Sequence, residues 1–270
     1  MKAKKISAVI TAIKNKVLSP QNNLASDWQL DALISHEHKL IIYTNPKCAS
    51  GTIKIWFLQI LGILPIDISI ENKIDNILGK SIHEYIKENY KLYNYPKNQE
   101  YKYINYSKAI IVRNPWRRVV SFYCDKILIK ENHLKSLDIF SQENYDKDLS
   151  FREFVDVFSK IDHSHLESHL RSQIFGREHM DFNYILKVEN INANLIEMSK
   201  HLGINAPPLK IAHRNATLYK NNMDESVYDK KPYAFESIPA YIYFYNVELI
   251  KTIGQKYAAD IETFNYKFHD

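Results

Sequence analysis

Two short apolar runs, each broken beside a proline and followed at once by a helical pattern, constrain this chain more than any other feature. Leu40–Thr44 is compact, apolar and rich in β-branched residues, as a buried strand requires. Pro46 to Gly51 interrupts it, and Thr52–Leu61 resumes with helical spacing and stops near Gly62. Lys108–Val112 repeats the pattern. Pro115 stands two residues beyond Arg113, and a proline fits the first helical turn because its missing N–H has no partner there anyway. Trp116–Lys130 then places Val119, Val120, Tyr123 and Ile127 on one side.

Later segments extend the alternation. Ser150 and Glu153 form a capping box for a helix through Phe158. Tyr184–Val188 reads as a third strand. Ile191–Leu202 is a helix closed by Gly203, and Asn246–Ala258 is the last long helix. Strands alternating with helices predict an α/β fold whose central sheet is mostly parallel. Ligands of such folds sit at the carboxyl ends of the strands, where both strand–loop–helix junctions fall.

A length of 270 residues accommodates one large domain with its own core. Residues 1–35 read as an amphipathic N-terminal helix and lead-in, with apolar Ile6, Val9, Ile10, Ile13 and Val17 at helical spacing. Residues 36–270 read as a single domain. Lys14 and Lys16 spoil any secretory signal, and no apolar run is long enough to span a membrane. Weak contact of that helix with a membrane surface is the alternative to packing on the domain. Two cysteines, Cys48 and Cys124, build neither a disulfide framework nor a zinc site. They fit a reducing, cytoplasmic compartment. The net charge of +5 does not by itself argue for nucleic acid, which wants a basic stripe with interleaved aromatics.

The first junction, Asn45-Pro46-Lys47-Cys48-Ala49-Ser50-Gly51-Thr52, suits an anion. A helix N-terminus presents free N–H groups and partial positive charge, and small residues admit a phosphate or sulfate to that backbone. Lys47 adds a cation; Ser50 and Thr52 add hydroxyls. A plain tight connection is the alternative, and a nucleophilic Cys48 is a minor one. The two-glycine frame of a Walker loop is missing. At the second junction Arg113 leaves the strand and offers a planar fork to phosphate, or else a structural ion pair. Ser121 brings a hydroxyl about two helical turns on, while Arg117 and Arg118 read as a solvated helix face. Two anion-ready junctions on one sheet imply a ligand with two separated anionic groups.

Together these segments resemble the sulfotransferases that use 3′-phosphoadenosine 5′-phosphosulfate (PAPS), in particular the carbohydrate, family 2-like branch. Pro46–Thr52 resembles the family's Pro-Lys loop for the 5′-phosphosulfate. Arg113, Pro115, Arg118 and Ser121 resemble its Arg-x-Pro-x-x-Arg-x-x-Ser segment for the 3′-phosphate. His169-Leu170-Arg171-Ser172-Gln173 is similar to its His-aromatic-Arg-Pro-Gln stretch, with Ser172 where proline is usual. Leu186–Asn190 resembles its strand ending in Glu-Asn. Tyr257–Asp260 with Phe264-Asn265-Tyr266 resembles its closing segment, with Asn265 where glycine is usual.

The resemblance implies a P-loop-NTPase-like three-layer domain, PAPS as co-substrate, no required metal, and a carbohydrate or glycan acceptor. It assigns donor binding to Pro46, Lys47, Cys48, Ala49, Ser50, Gly51, Thr52, Arg113 and Ser121, with Arg214 and Asn215 in a late loop. Lys47 would stabilise the leaving oxygen. His83, between the two donor segments, is the expected base, and His169 is the runner-up. A metal site at His163, His165 and His169 rests on spacing alone. A small-molecule kinase and a non-catalytic nucleotide-binding module are the alternatives.

Overall fold

The computed structural model describes residues 32–66, 74–92, 102–128, 149–209, 226–235 and 237–270. The expected N-terminal helix, and Arg214 and Asn215, lie outside these residues.

The three predicted strands form. They are β2 (Leu40–Tyr43), β4 (Ser107–Val112) and β5 (Tyr184–Lys187), and β4 pairs in parallel with both β2 and β5. Two further strands join them: β1 (Ala32–Ser35) and the short β3 (Lys91–Leu92). The sheet order is β3-β1-β2-β4-β5, and β1 runs antiparallel to both its neighbours. The sheet is therefore mixed rather than mostly parallel. A tight turn over residues 36–39, with Lys39 at φ 46, folds β1 back on β2 as a hairpin. Residues 32–35, assigned from sequence to the lead-in, thus belong to the sheet.

Helices cover both faces because the central strands β2 and β4 carry buried apolar residues on both sides. On β2, Ile41 and Tyr43 face one core while Leu40 and Ile42 face the other; on β4, Ile110 and Val112 oppose Ala109 and Ile111. Helices α1 (Ser50–Ile60), α2 (Ile74–Leu78), α3 (Ile82–Asn89) and α6 (Ile191–His201) supply residues to the second core. Helices α4 (Pro115–Tyr123), α5 (Phe151–Phe158), α7 (Val247–Lys256) and α8 (Ala258–Phe264) supply the first. The result is an α/β/α three-layer arrangement around an open mixed sheet.

Local chemistry sets the helix ends. Pro115 occupies the first turn of α4, and the Asn114 side chain caps it by accepting from the N–H groups of Trp116 (3.0 Å) and Arg117 (3.3 Å). The capping box at Ser150 and Glu153 opens α5. Gly203, at φ 67, follows α6. The long helix expected over Trp116–Lys130 is α-helical only to Tyr123. It widens into a π-helical turn over Cys124–Leu128, a distortion frequent at functional sites.

Candidate functional site

The two junctions meet. Lys47 and Ala49 both take left-handed backbone conformations, φ 65 and φ 54. That region is unfavourable for residues with a Cβ, and such strain concentrates at functional sites. The double turn delivers the chain into α1 with no side chain capping its first amides. Gly51 faces open space, since a Cβ built on it meets nothing within 4 Å.

Arg113 closes the gap between the loops. Its Nη1 donates to the Lys47 carbonyl at 3.1 Å. At the other end of α4, Asp125 in the π turn accepts from Lys47 Nζ at 2.8 Å. Both side chains are largely buried, 11% and 19% exposed. Burial lowers the Lys47 ammonium below its ordinary value, the Asp125 bond works against that, and the charges of Lys126 and Arg113 lower it further. Half-buried Ser121 lies one turn before Asp125 and four residues after Arg117, a spacing that puts neighbours on one helix face.

Arg117 and Arg118 are not a solvated face. Arg118 is buried, and its guanidinium donates to the carbonyls of Pro46 (3.1 Å), Arg171 (2.7 Å) and Ser168 (3.3 Å). One side chain thereby clamps the donor-type loop to the 168–171 segment. Arg117 is half-buried and lies over the Tyr241 ring, 4.5 Å from its centroid.

A buried polar network holds Arg113 from behind. Gln173 accepts from the Arg113 N–H (2.8 Å) and donates to its carbonyl (2.9 Å). Asp260, fully buried, accepts from Ser172 Oγ (2.6 Å), from the N–H of Gln173 (2.8 Å) and Ile174 (3.1 Å), and from Gln173 Nε2 (3.2 Å). Glu189 accepts from the Asn114 N–H (2.9 Å) and from the Tyr266 hydroxyl (3.2 Å). Such a satisfied network fixes one geometry. Its members come from segments that only the family resemblance singled out.

Residues 30–267 match the model of the sulfotransferase family. The chain belongs to the sulfotransferase family. No curated protein and no solved structure matches it. Membership supports sulfuryl transfer in general as the activity of this sulfotransferase. Among the described residues no helix is long and apolar enough to cross a membrane.

The two departures from the family pattern have local causes. Asn265 adopts φ 49, the left-handed region where asparagine is the usual substitute for glycine. Ser172 has an N–H that proline would lack, and donates it to His163 Nδ1 at 3.1 Å. His163 Nε2 donates in turn to the Lys256 carbonyl at 2.8 Å. With both ring nitrogens engaged within the fold, half-buried His163 serves as a structural hydrogen-bonding group.

Cys48 also departs from one expectation. It is fully buried, donates to Gln173 Oε1 at 3.2 Å, and burial pushes its thiol up to about 11. A nucleophile needs the opposite shift. His83 sits in the first turn of α3, with its Nδ1 3.0 Å from the ammonium of buried Lys54 on α1. His169 lies in the clamped segment beside Glu167, its ring centroid 6.3 Å from that of Phe122.

Proposed function

We propose that this sulfotransferase takes its sulfuryl group from PAPS and delivers it to a carbohydrate hydroxyl, using residues 36–270 with β1 as one P-loop-like catalytic domain. The contact from Arg113 Nη1 to the Lys47 carbonyl carries the reading. It joins a guanidinium suited to phosphate to the loop that leads into an uncapped helix N-terminus, which supports a shared ligand with two anionic groups.

In this reading Pro46–Thr52 wraps the 5′-phosphosulfate, with Lys47 and the first amides of α1 facing the bridging oxygen. Cys48 contributes backbone only, because its side chain is in the core. Arg113 and Ser121 hold the 3′-phosphate, and Arg214 and Asn215 are assigned to the donor by the family resemblance alone. The acceptor oxygen attacks sulfur in line with the departing phosphate oxygen. Negative charge grows on that oxygen as the bond breaks, and positive groups fixed in advance stabilise it most. Asp125 takes one of the three donors of the Lys47 ammonium, which leaves others for that oxygen. The carbohydrate acceptor rests on the branch resembled, and the cytoplasm remains the proposed compartment.

Calorimetric titration with adenosine 3′,5′-bisphosphate and with adenosine 5′-monophosphate tests the donor site. Wild-type protein should prefer the bisphosphate, and Arg113→Ala should lose about 10²-fold in affinity for it, the worth of two charge-assisted hydrogen bonds. Equal binding of the two nucleotides by the wild type defeats the assignment. Labelled PAPS offered with a glycan panel tests the acceptor.

A further inference from the structure

Sulfuryl transfer to a hydroxyl also releases a proton, and two histidines compete for it. Lys54 approaches His83 at Nδ1. An ammonium has donors and no acceptor, so Nδ1 receives that bond. The proton of the neutral ring then sits on Nε2, which donates and has no lone pair to accept with. His83 in this state suits holding an acceptor oxygen rather than deprotonating it.

His169 is wired in the opposite sense. Its Nδ1 is tightly hydrogen-bonded to Glu167 Oε1, and its backbone N–H donates to Glu167 Oε2 at 2.9 Å. Ser168 Oγ donates to the same Oε1 at 3.2 Å. Burial would raise the Glu167 carboxyl, but these bonds and the nearby imidazole hold it below its ordinary value. A carboxylate only accepts. Nδ1 therefore carries the proton, and the Nε2 lone pair is left to act as a base.

The pair is also tied to the first junction through Arg118. Ser168, between Glu167 and His169, gives its carbonyl to Arg118, whose Nε bonds Pro46 of the donor loop. Phe122, which packs near the imidazole, directly follows Ser121. The charged groups around the pair are Arg118, reaching Ser168 from α4, and Arg171, whose guanidinium interacts with the Glu167 charge.

We propose that Glu167 holds His169 in the Nδ1–H tautomer, so that His169 Nε2 accepts the proton of the attacking hydroxyl. The proposal rests on the donor reading given above. In the step, the acceptor oxygen bonds to sulfur. The bond from sulfur to the 5′-phosphate oxygen breaks, and its electron pair departs on that oxygen, facing Lys47. The hydroxyl proton passes to Nε2. The imidazolium that results is paired with Glu167, which takes no proton itself and is a positioning residue.

Long-range ¹⁵N–¹H spectra of the imidazoles test the wiring without any substrate, with the His169 signals identified by their loss in His169→Gln. The wild type should show the Nδ1–H tautomer at His169, and Glu167→Ala should convert it largely to Nε2–H. Transfer from labelled PAPS to a mixture of unsulfated hexosamine–uronate and neutral hexose oligosaccharides supplies the second readout. His169→Gln should lower kcat about 10²–10⁴-fold, the usual worth of a positioned base. Glu167→Ala should lower kcat with little change in KM for PAPS, and Glu167→Asp should restore a large part of the loss. A wild-type Nε2–H tautomer, or His169→Gln turnover within threefold of wild type, overturns the proposal even if a variant folds poorly. Wild-type protein that ignores adenosine 3′,5′-bisphosphate would instead sink the donor reading and leave the tautomer result standing.

Discussion

The Arg113 guanidinium donates to the Lys47 carbonyl across 3.1 Å, tying together two loops that are 66 residues apart in the chain. Lys47 is gripped from both ends of α4, by Arg113 before its cap and by Asp125 after its last α-helical turn. The loop conformation and the position of α4 are thus one mechanical unit.

Gly51 separates stability from binding. Its surroundings are open and its φ lies outside the left-handed region, so the fold itself accommodates a methyl group. Gly51→Ala should raise stability by about 0.4–1 kcal/mol through the unfolded state. If the space is the donor's, the same change should weaken adenosine 3′,5′-bisphosphate about tenfold or more, which is about 1.4 kcal/mol. Denaturant melts and calorimetry give the two signs independently.

Arg118 is a clamp of a shape lysine lacks. It satisfies three carbonyls from two segments while buried. A lysine ammonium is a point charge and cannot keep that fork. Arg118→Lys should cost about 2–3 kcal/mol, since buried carbonyls lose partners, and should loosen donor binding as Pro46 is released. Thermal melts with and without adenosine 3′,5′-bisphosphate measure both.

Asp260 anchors the network behind Arg113. Asp260→Ala strands the donors of Ser172, Gln173 and Ile174 in the interior. A loss of about 3 kcal/mol or more follows from unsatisfied buried groups. Urea unfolding should show it as a lower midpoint at an unchanged slope.

Cys48 should be inert in the native protein. Its thiol is buried and its ionisation pushed up to about 11, so the reactive thiolate is scarce at pH 8. Iodoacetamide should modify Cys48 only in denaturant, as read by mass spectrometry of the peptide.

His163 should make stability sensitive to mild acid. Burial lowers its folded ionisation below the ordinary histidine value, so the unfolded chain takes up the proton first. Its contribution is fully present above about pH 6.5 and is lost as the pH falls through the lowered folded value. Protonation at Nδ1 also severs the bond from Ser172. Urea unfolding between pH 7.5 and 5 should show a steeper decline for wild type than for His163→Gln.

Much of the fold was legible because its signals are local. Pro115, the Ser150 capping box and Gly203 act within one turn of chain, and the strands at Leu40, Lys108 and Tyr184 are continuous apolar runs. Strand β1 was missed because its partner is chosen by the turn at residues 36–39 and not by its own pattern. The sheet became mixed for the same reason. The π turn that aims Asp125 at Lys47 likewise leaves no mark in residue spacing.

The sequence by itself determined two anion-ready strand–helix junctions and the family, because each junction's chemistry is carried by contiguous residues. Tertiary structure alone decided that Arg118 is buried rather than solvated, that Cys48 points inward, and that Asp260 and Gln173 brace Arg113. Those outcomes depend on partners 50 or more residues away, and hydrogen-bond polarity exists only once donor and acceptor have been brought together.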